Sequence, residues 1–560
     1  MNARVSRRAV LGLGPVTLAS CARRKQYFGK STPPRSQTLI YDLGTEPGSL
    51  DPATSLGGSE AYVLPAMVEP LLSRHPESME PAAGLATHYQ VDAGRTEITF
   101  FLRGHGSPSG SKLFGAPAKS EAALWSDGRS VTADDVVCNW QHLVDPVNGS
   151  TYAANLYPLA NAKEINEGKA KLDTLGVVAD GPYTLRVTLK APAAHFFKLA
   201  TTEALAPVPR HAVERHGRFW TRPGLMPSCG PFVLHQWKPY ERIVLRKNPR
   251  YHAASRVHLD EIRFLPIVDG ATGMNLYKAG DVYTMHGRAL PPLWIPTLRG
   301  RKDLYATPAY RSLFYSFNTT KPPFDNVLVR YAFQMATNTQ TVARFLNGGQ
   351  TAARTVIPRF GGYPGIHSLL VEAGGRVWDV LSYDPPAARE LLRMAKAEDL
   401  AVDLTFPDRT RSKEIAEILQ AQWQANLGVR VNLMMVERNV CDQMAASVSY
   451  RGIIESGTGA DYADPNGIFD AFTGRMDGSG WVDAKFDQLL VAANSERDTT
   501  VRMRKLVACE ERLLRAMPVL PLFFDSYCYL EKPFVGGMTK NVLGFQEFKT
   551  AWIDTNWRPS

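Results

Sequence analysis

The sequence predicts an α/β protein of several domains, and three observations carry that prediction. The chain has 560 residues, too many for one hydrophobic core and enough for roughly two to four domains. Its apolar residues alternate between helical and strand periodicity. In one place a helix-like run stops at Gly428 and passes directly into a strand-like run at 429–433, the step typical of α/β folds. The composition, 44% apolar, 10% aromatic and 21% charged, is that of a globular protein.

In chain order, Ser6-Arg7-Arg8-Ala9-Val10-Leu11 is a twin-arginine pattern. It precedes a short, weakly apolar stretch and then Leu18-Ala19-Ser20-Cys21. That layout is similar to a bacterial lipoprotein signal, with residues 1–20 removed and Cys21 lipidated. A stretch of about a dozen residues is too short to span a bilayer, which needs about 20. The expected body is therefore extracytoplasmic, in the periplasm or on the cell surface, with its lipid as the only membrane contact. Residues 21–36 are polar, basic and Pro-containing, which suits a tether. The formal charge of +10 includes Arg4, Arg7 and Arg8, and falls to +7 without them. The remaining bases are scattered among acids, so nucleic acid is not an expected partner.

Residues 37–43 read as a strand running into the turn Gly44-Thr45-Glu46-Pro47-Gly48. Leu56-Gly57-Gly58-Ser59 follows, with backbone groups left open by two glycines. Runs at 98–103 and 183–189 read as strands. Between them Thr132-Ala133-Asp134-Asp135 opens a helix carrying Val136, Val137, Trp140, Leu143 and Val144, and Asp145-Pro146 ends it. Residues 104–120 read as a Gly/Ser/Pro-rich surface loop. A second helix is predicted over 325–346, a third from Pro385 and a fourth through Ile415, Leu419, Trp423 and Leu427. Cys138, Cys229, Cys441, Cys509 and Cys528 show no metal-ligand spacing and read as buried thiols with at most one or two bridges.

The stretch Gly457-Thr458-Gly459-Ala460-Asp461-Tyr462-Ala463-Asp464-Pro465 sets two flexible residues before a carboxylate framed by Ala and Tyr. Such a carboxylate can seat an ammonium group, and the same nine residues also read as a solvated turn. Catalytic and metal motifs are weak. Gly57-Gly58-Ser59-Glu60-Ala61 lacks the final glycine of a nucleophile elbow. His211 and His216 miss the zinc-protease spacing, and Asp461, Asp464 and Asn466 miss the calcium-loop spacing. Neither an enzyme nor a cofactor or metal is expected.

Eight blocks from residue 38 onward bear a resemblance: Leu50-Asp51-Pro52, Trp125-Ser126-Asp127-Gly128, Thr132 to Val137, Asp145-Pro146, Glu241 to Leu245, Asn248-Pro249, Lys321-Pro322-Pro323-Phe324 and Phe534-Val535-Gly536-Gly537. In this order the chain resembles the bacterial extracellular solute-binding proteins of family 5, the oligopeptide and dipeptide receptors of ABC importers, and is most similar to the oligopeptide-binding type. The resemblance implies a class II periplasmic-binding fold with two lobes around a ligand cleft and an extra small domain. Lobe I would comprise 37–68, 210–310 and 531–560, the extra domain 69–209, and lobe II 311–530.

The resemblance also implies a monomeric receptor for short peptides, whose partners are a permease and separate ATPase subunits. Leu56, Gly57, Gly58 and Ser59, together with Ser456, Gly457, Thr458 and Gly459, would offer backbone to the ligand. Asp461 would hold its α-ammonium, Tyr152 and Phe314 would line the cleft, and Arg438 falls on a side-pocket position. The bases that meet the ligand's carboxylate in relatives fall on Asn347, Ser412 and Glu455, none of them cationic. A disulfide of relatives falls on Arg311 and Gly459. Other readings of the same fold are a receptor for murein peptides, nickel chelates or opines, and a peptide sensor or chaperone without transport.

Overall fold

A computed structural model describes residues 26–54, 58–106, 108–117, 120–285, 290–474 and 476–559. The N-terminal signal with Cys21, and Leu56 and Gly57, lie outside the described residues. No described helix is long and apolar enough to cross a membrane.

One eleven-stranded sheet organises the molecule. Its strands in chain order are β1 (Thr38–Asp42), β2 (Phe232–Lys238), β3 (Arg242–Lys247), β4 (Glu261–Leu265), β5 (Thr284–Met285), β6 (Leu304–Phe317), β7 (Thr351–Ala352), β8 (Ala401–Pro407), β9 (Arg430–Val436), β10 (Ile453–Gly459) and β11 (Val519–Glu531). Their spatial order is β9-β8-β10-β6-β11-β5-β1-β4-β3-β2, with β7 added on β11. The two long strands β6 and β11 pair antiparallel from Leu304↔Leu530 to Ser316↔Val519, and join the two ends of the sheet. Their pairing is interrupted between Pro308 and Ser312, where the proline lacks the N–H a ladder needs.

Separate cores pack on this frame. One gathers residues between Tyr310 and Phe523, and a second gathers Leu39 to Val68 with Ala206 to Tyr283 and Phe534 to Ile553. A third fills a five-stranded antiparallel sheet and its helices between Ala53 and Leu205, and one distant residue, Tyr462, joins it.

Local signals explain most elements. The helix Ala133–Val144 starts where Thr132 N donates to Asp135 Oδ2 at 2.9 Å, and it ends before Asp145-Pro146. The helix Thr410–Leu427 stops at Gly428, whose φ of 75° suits a residue without Cβ, and β9 begins at Arg430. The helix expected over 325–346 is two helices, Val327–Ala336 and Thr339–Leu346. The break is caused by Asn338, whose side chain accepts from Thr341 N at 3.1 Å and so caps a new helix. All five described cysteines are free; four are buried and Cys138 is half-buried, so no bridge forms among them.

Candidate functional site

The site is built on β10. This strand lies antiparallel to β6, with Arg311↔Gly459, Ser312↔Thr458, Leu313↔Gly457, Phe314↔Ser456 and Tyr315↔Glu455 directly opposed. On its other side it pairs with β8 only at Leu404↔Ile453 and Thr405↔Ile454. From Glu455 to Gly459, therefore, β10 has one strand neighbour among the described residues and an open edge on the other side. Open edges accept extended chains through main-chain hydrogen bonds. Gly457 also needs to be glycine, because a Cβ there would come within 2.9 Å of Ser312 O.

The chain leaves the edge at Ala460 and reaches Asp461, whose carboxylate is solvent-accessible and has no protein partner among the described residues. Protein mass on both sides nevertheless raises its pKa above the ordinary carboxylate value; the Arg74 guanidinium opposes this rise and Glu203 adds to it. Arg74 and Glu203 precede Asp461 by more than 250 residues in the sequence, so charges from a distant part of the chain act on its carboxylate. Arg74 is not free to neutralise Asp461. Its Nη1 and Nη2 hold Glu203 at 2.7 and 3.1 Å, its Nε donates to Thr201 Oγ1 at 3.1 Å, and its plane lies over Phe545 at 4.3 Å.

The next three residues are fixed. Tyr462 is buried in the Ala53 to Leu205 core, stacks on His195 and donates its hydroxyl to Asp470 Oδ2 at 2.8 Å. Ala463 O accepts from Lys198 Nζ at 2.9 Å. Asp464 is 1% exposed and takes both Arg502 Nη atoms at 2.8 Å. Burial pushes the Asp464 pKa up, but Arg502, then Lys198 and His195, bring it below the usual carboxylate range. Asp470 lies in the field of both acids. Burial first, then Asp464 and Asp461, push its pKa to about 7 against the Tyr462 hydrogen bond.

The far end of the edge differs. Glu455 accepts from Ser412 Oγ at 3.0 Å and from Tyr315 Oη at 3.1 Å. Burial raises its pKa; those hydrogen bonds and the nearby Arg438 and Arg411 oppose the rise. Both arginines are already paired, Arg438 with Asp442 at 2.7 Å and Arg411 with Asp525 at 3.2 Å. Asn347 ends a helix in a left-handed conformation (φ 54°) and accepts from Arg299.

Two expected residues behave otherwise. Phe314 does not line a cleft: it is 0% exposed and packs on Phe472 at 5.8 Å, in a stretch of β6 from Phe314 to Phe317 that is buried on both faces. Ser59 is buried with an Oγ that lacks a hydrogen-bond partner among the described residues. Gly58 is half-buried, and a Cβ there would meet Glu60 Oε2 at 2.8 Å. Tyr152 is half-buried, its N donating to Ser150 Oγ at 3.2 Å. Arg311 and Gly459, expected at a disulfide position, are direct cross-strand partners. Arg74, Glu203, Asp470 and Arg411 were not legible as site residues, since nothing local marks them.

A family model described as bacterial extracellular solute-binding proteins, family 5 Middle, matches residues 121–480. The chain belongs to this family. Among its relatives, the probable deoxycholate-binding periplasmic protein YgiS of Escherichia coli is 29% identical over 90% of both chains. The periplasmic oligopeptide-binding protein OppA of Salmonella typhimurium is also 29% identical, over 90% of each. The structure of the Escherichia coli murein tripeptide binding protein MppA superposes with a TM-score of 0.75 at 26% identity, covering 93% of this chain and 99% of that one. The family-5 fold thus accounts for the mixed sheet and its crossing strands β6 and β11.

Proposed function

We propose that this family-5 protein is an extracytoplasmic receptor that captures short peptides and delivers them to an ABC permease with separate ATPase subunits. The observation that carries the reading is the pairing of an open strand edge, 455–459, with an unpartnered carboxylate at Asp461. The edge binds main chain, which every peptide has. Asp461 supplies the counter-charge for an α-ammonium, which has a pKa near 8 and is charged at neutral pH. Closure of the lobes about β6 and β11 would seal the ligand. Cys21 anchors the protein through lipid after export by the twin-arginine or the general secretory route, and the protein acts as a monomer without catalysis. The names of the Salmonella and Escherichia coli peptide-binding relatives support this reading.

The test is Asp461→Asn with matched peptides. Affinity for peptides with a free amino terminus should fall by about 2–3 kcal/mol, while N-acetylated versions, weaker from the start, should be unchanged. Equal loss for both would refute the ammonium role. One observation favours a second reading: the far end of the edge carries Glu455 with Arg438 and Arg411 already paired, and a relative is named for deoxycholate. Native mass spectrometry of the purified protein decides between peptide and non-peptide ligands by the mass of what remains bound.

A further inference from the structure

Along β10 and β6, opposed residues share a face. Ser312, Phe314 and Ser456 lie on one face, while Arg311, Leu313 and Glu455 share the other with the positions of Gly457 and Gly459, a face that becomes buried at Tyr315 opposite Glu455. On that second face the two glycines form a floor that side chains of β6 lean over, with Leu313 Cδ1 3.1 Å from where a Cβ of Gly457 would sit. Arg311 is exposed at one end of it, with its side-chain carbons 3.5–3.7 Å from where a Cβ of Gly459 would sit. Glu455 closes the other end, four residues away along β10, or about 13 Å at strand rise. Arg74, Arg411 and Arg438 each hold a carboxylate. Arg311 holds none among the described residues.

We propose that Arg311 is a specificity-determining residue that selects an acidic side chain within the first two residues of the bound peptide. The inference rests on the peptide reading above, which sets the ligand's amino terminus at Asp461, two residues beyond Gly459. An extended ligand on this edge projects alternate side chains onto the glycine floor. The side chain nearest Asp461 meets the unpaired guanidinium, whose planar fork matches a carboxylate. A side chain farther along meets Glu455, where a second carboxylate is repelled.

The experiment is a position scan with tetra-alanine and its four single-glutamate variants, titrated calorimetrically against the wild type, Arg311→Gln and Arg311→Lys. In the wild type, glutamate at position 1 or 2 should bind about tenfold more tightly than tetra-alanine, and glutamate nearer Glu455 should bind no better. Arg311→Gln should erase the gain and leave tetra-alanine unchanged; Arg311→Lys should restore part of it. A wild type that binds tetra-alanine without preferring glutamate overturns the inference and leaves the peptide reading standing. So does Arg311→Gln if it weakens all five peptides equally, which marks a structural residue, or strengthens them equally, which marks a resting partner of Asp461. If no peptide binds, the peptide reading fails and the inference falls with it.

Discussion

Asp461 and Asp464 lie three residues apart and are treated in opposite ways. Asp464 is sealed from water, gripped at both oxygens by Arg502 and held ionised below its ordinary pKa. Asp461 is accessible, has no partner among the described residues and is held with its pKa raised. The first acid is a structural rivet: its charge is compensated inside the chain. The second is left without a hydrogen bond or ion pair among the described residues. Placing both on one short segment puts an exposed charge immediately beside a contact between two hydrophobic cores, since Tyr462 between them belongs to the Ala53 to Leu205 core.

The contrast can be broken most strongly at the rivet. Arg502→Ala leaves Asp464 buried without its pair and should destabilise the 310–523 core by about 3–5 kcal/mol, read as an early transition in chemical denaturation. A pH series sharpens the contrast. Because Asp461's folded pKa is raised, its contribution to apo stability is fully present below the ordinary unfolded value of about 3.9 and is lost as pH rises through the raised value. Affinity for free-amine peptides, which needs the charged form, should move the other way and decline as pH falls through that raised value. Asp464, with a depressed pKa, contributes stability that is present above about 3.9 and lost only as pH falls through its lower folded value. Peptide affinity should therefore fade at a higher pH than the Asp464 pair breaks, with affinity and thermal unfolding followed on the same samples. The smallest effect is expected from Tyr462→Phe. It removes one hydrogen bond to Asp470 at a cost of about 1 kcal/mol, and should move the Asp470 titration up from about 7, visible by carboxyl NMR.

The helix at Ala133–Val144 and the helix-to-strand step at Gly428 were legible because each is marked locally, by a capping residue or a glycine, whereas the segment around Asp461 reads by itself also as a solvated turn. The fold beyond them was legible only through resemblance, since the pairing of β6 with β11 joins residues two hundred positions apart. Phe314 shows where resemblance misleads. Its place on β6 follows from the resemblance, but β6 is buried on both faces from Phe314 to Phe317, so neither face offers it to a ligand. Asn338 lies inside an apolar pattern that continues on either side, and its capping role shows only where its side chain accepts from Thr341 N. Arg74 carried no local signal at all, because its relation to Asp461 exists only once chain segments almost four hundred residues apart are folded together.

The open edge of β10 has one more consequence, for the empty protein. Five residues of unpaired backbone are a template for another copy's strand as much as for a peptide. Glycines at 457 and 459 offer such a copy no side chain to interlock with, and carboxyl groups at Glu455 and Asp461 stand at the two limits of the stretch. A long flat strand from another copy would meet carboxyl groups at both ends, so the features that would admit the proposed peptide would also discourage aggregation.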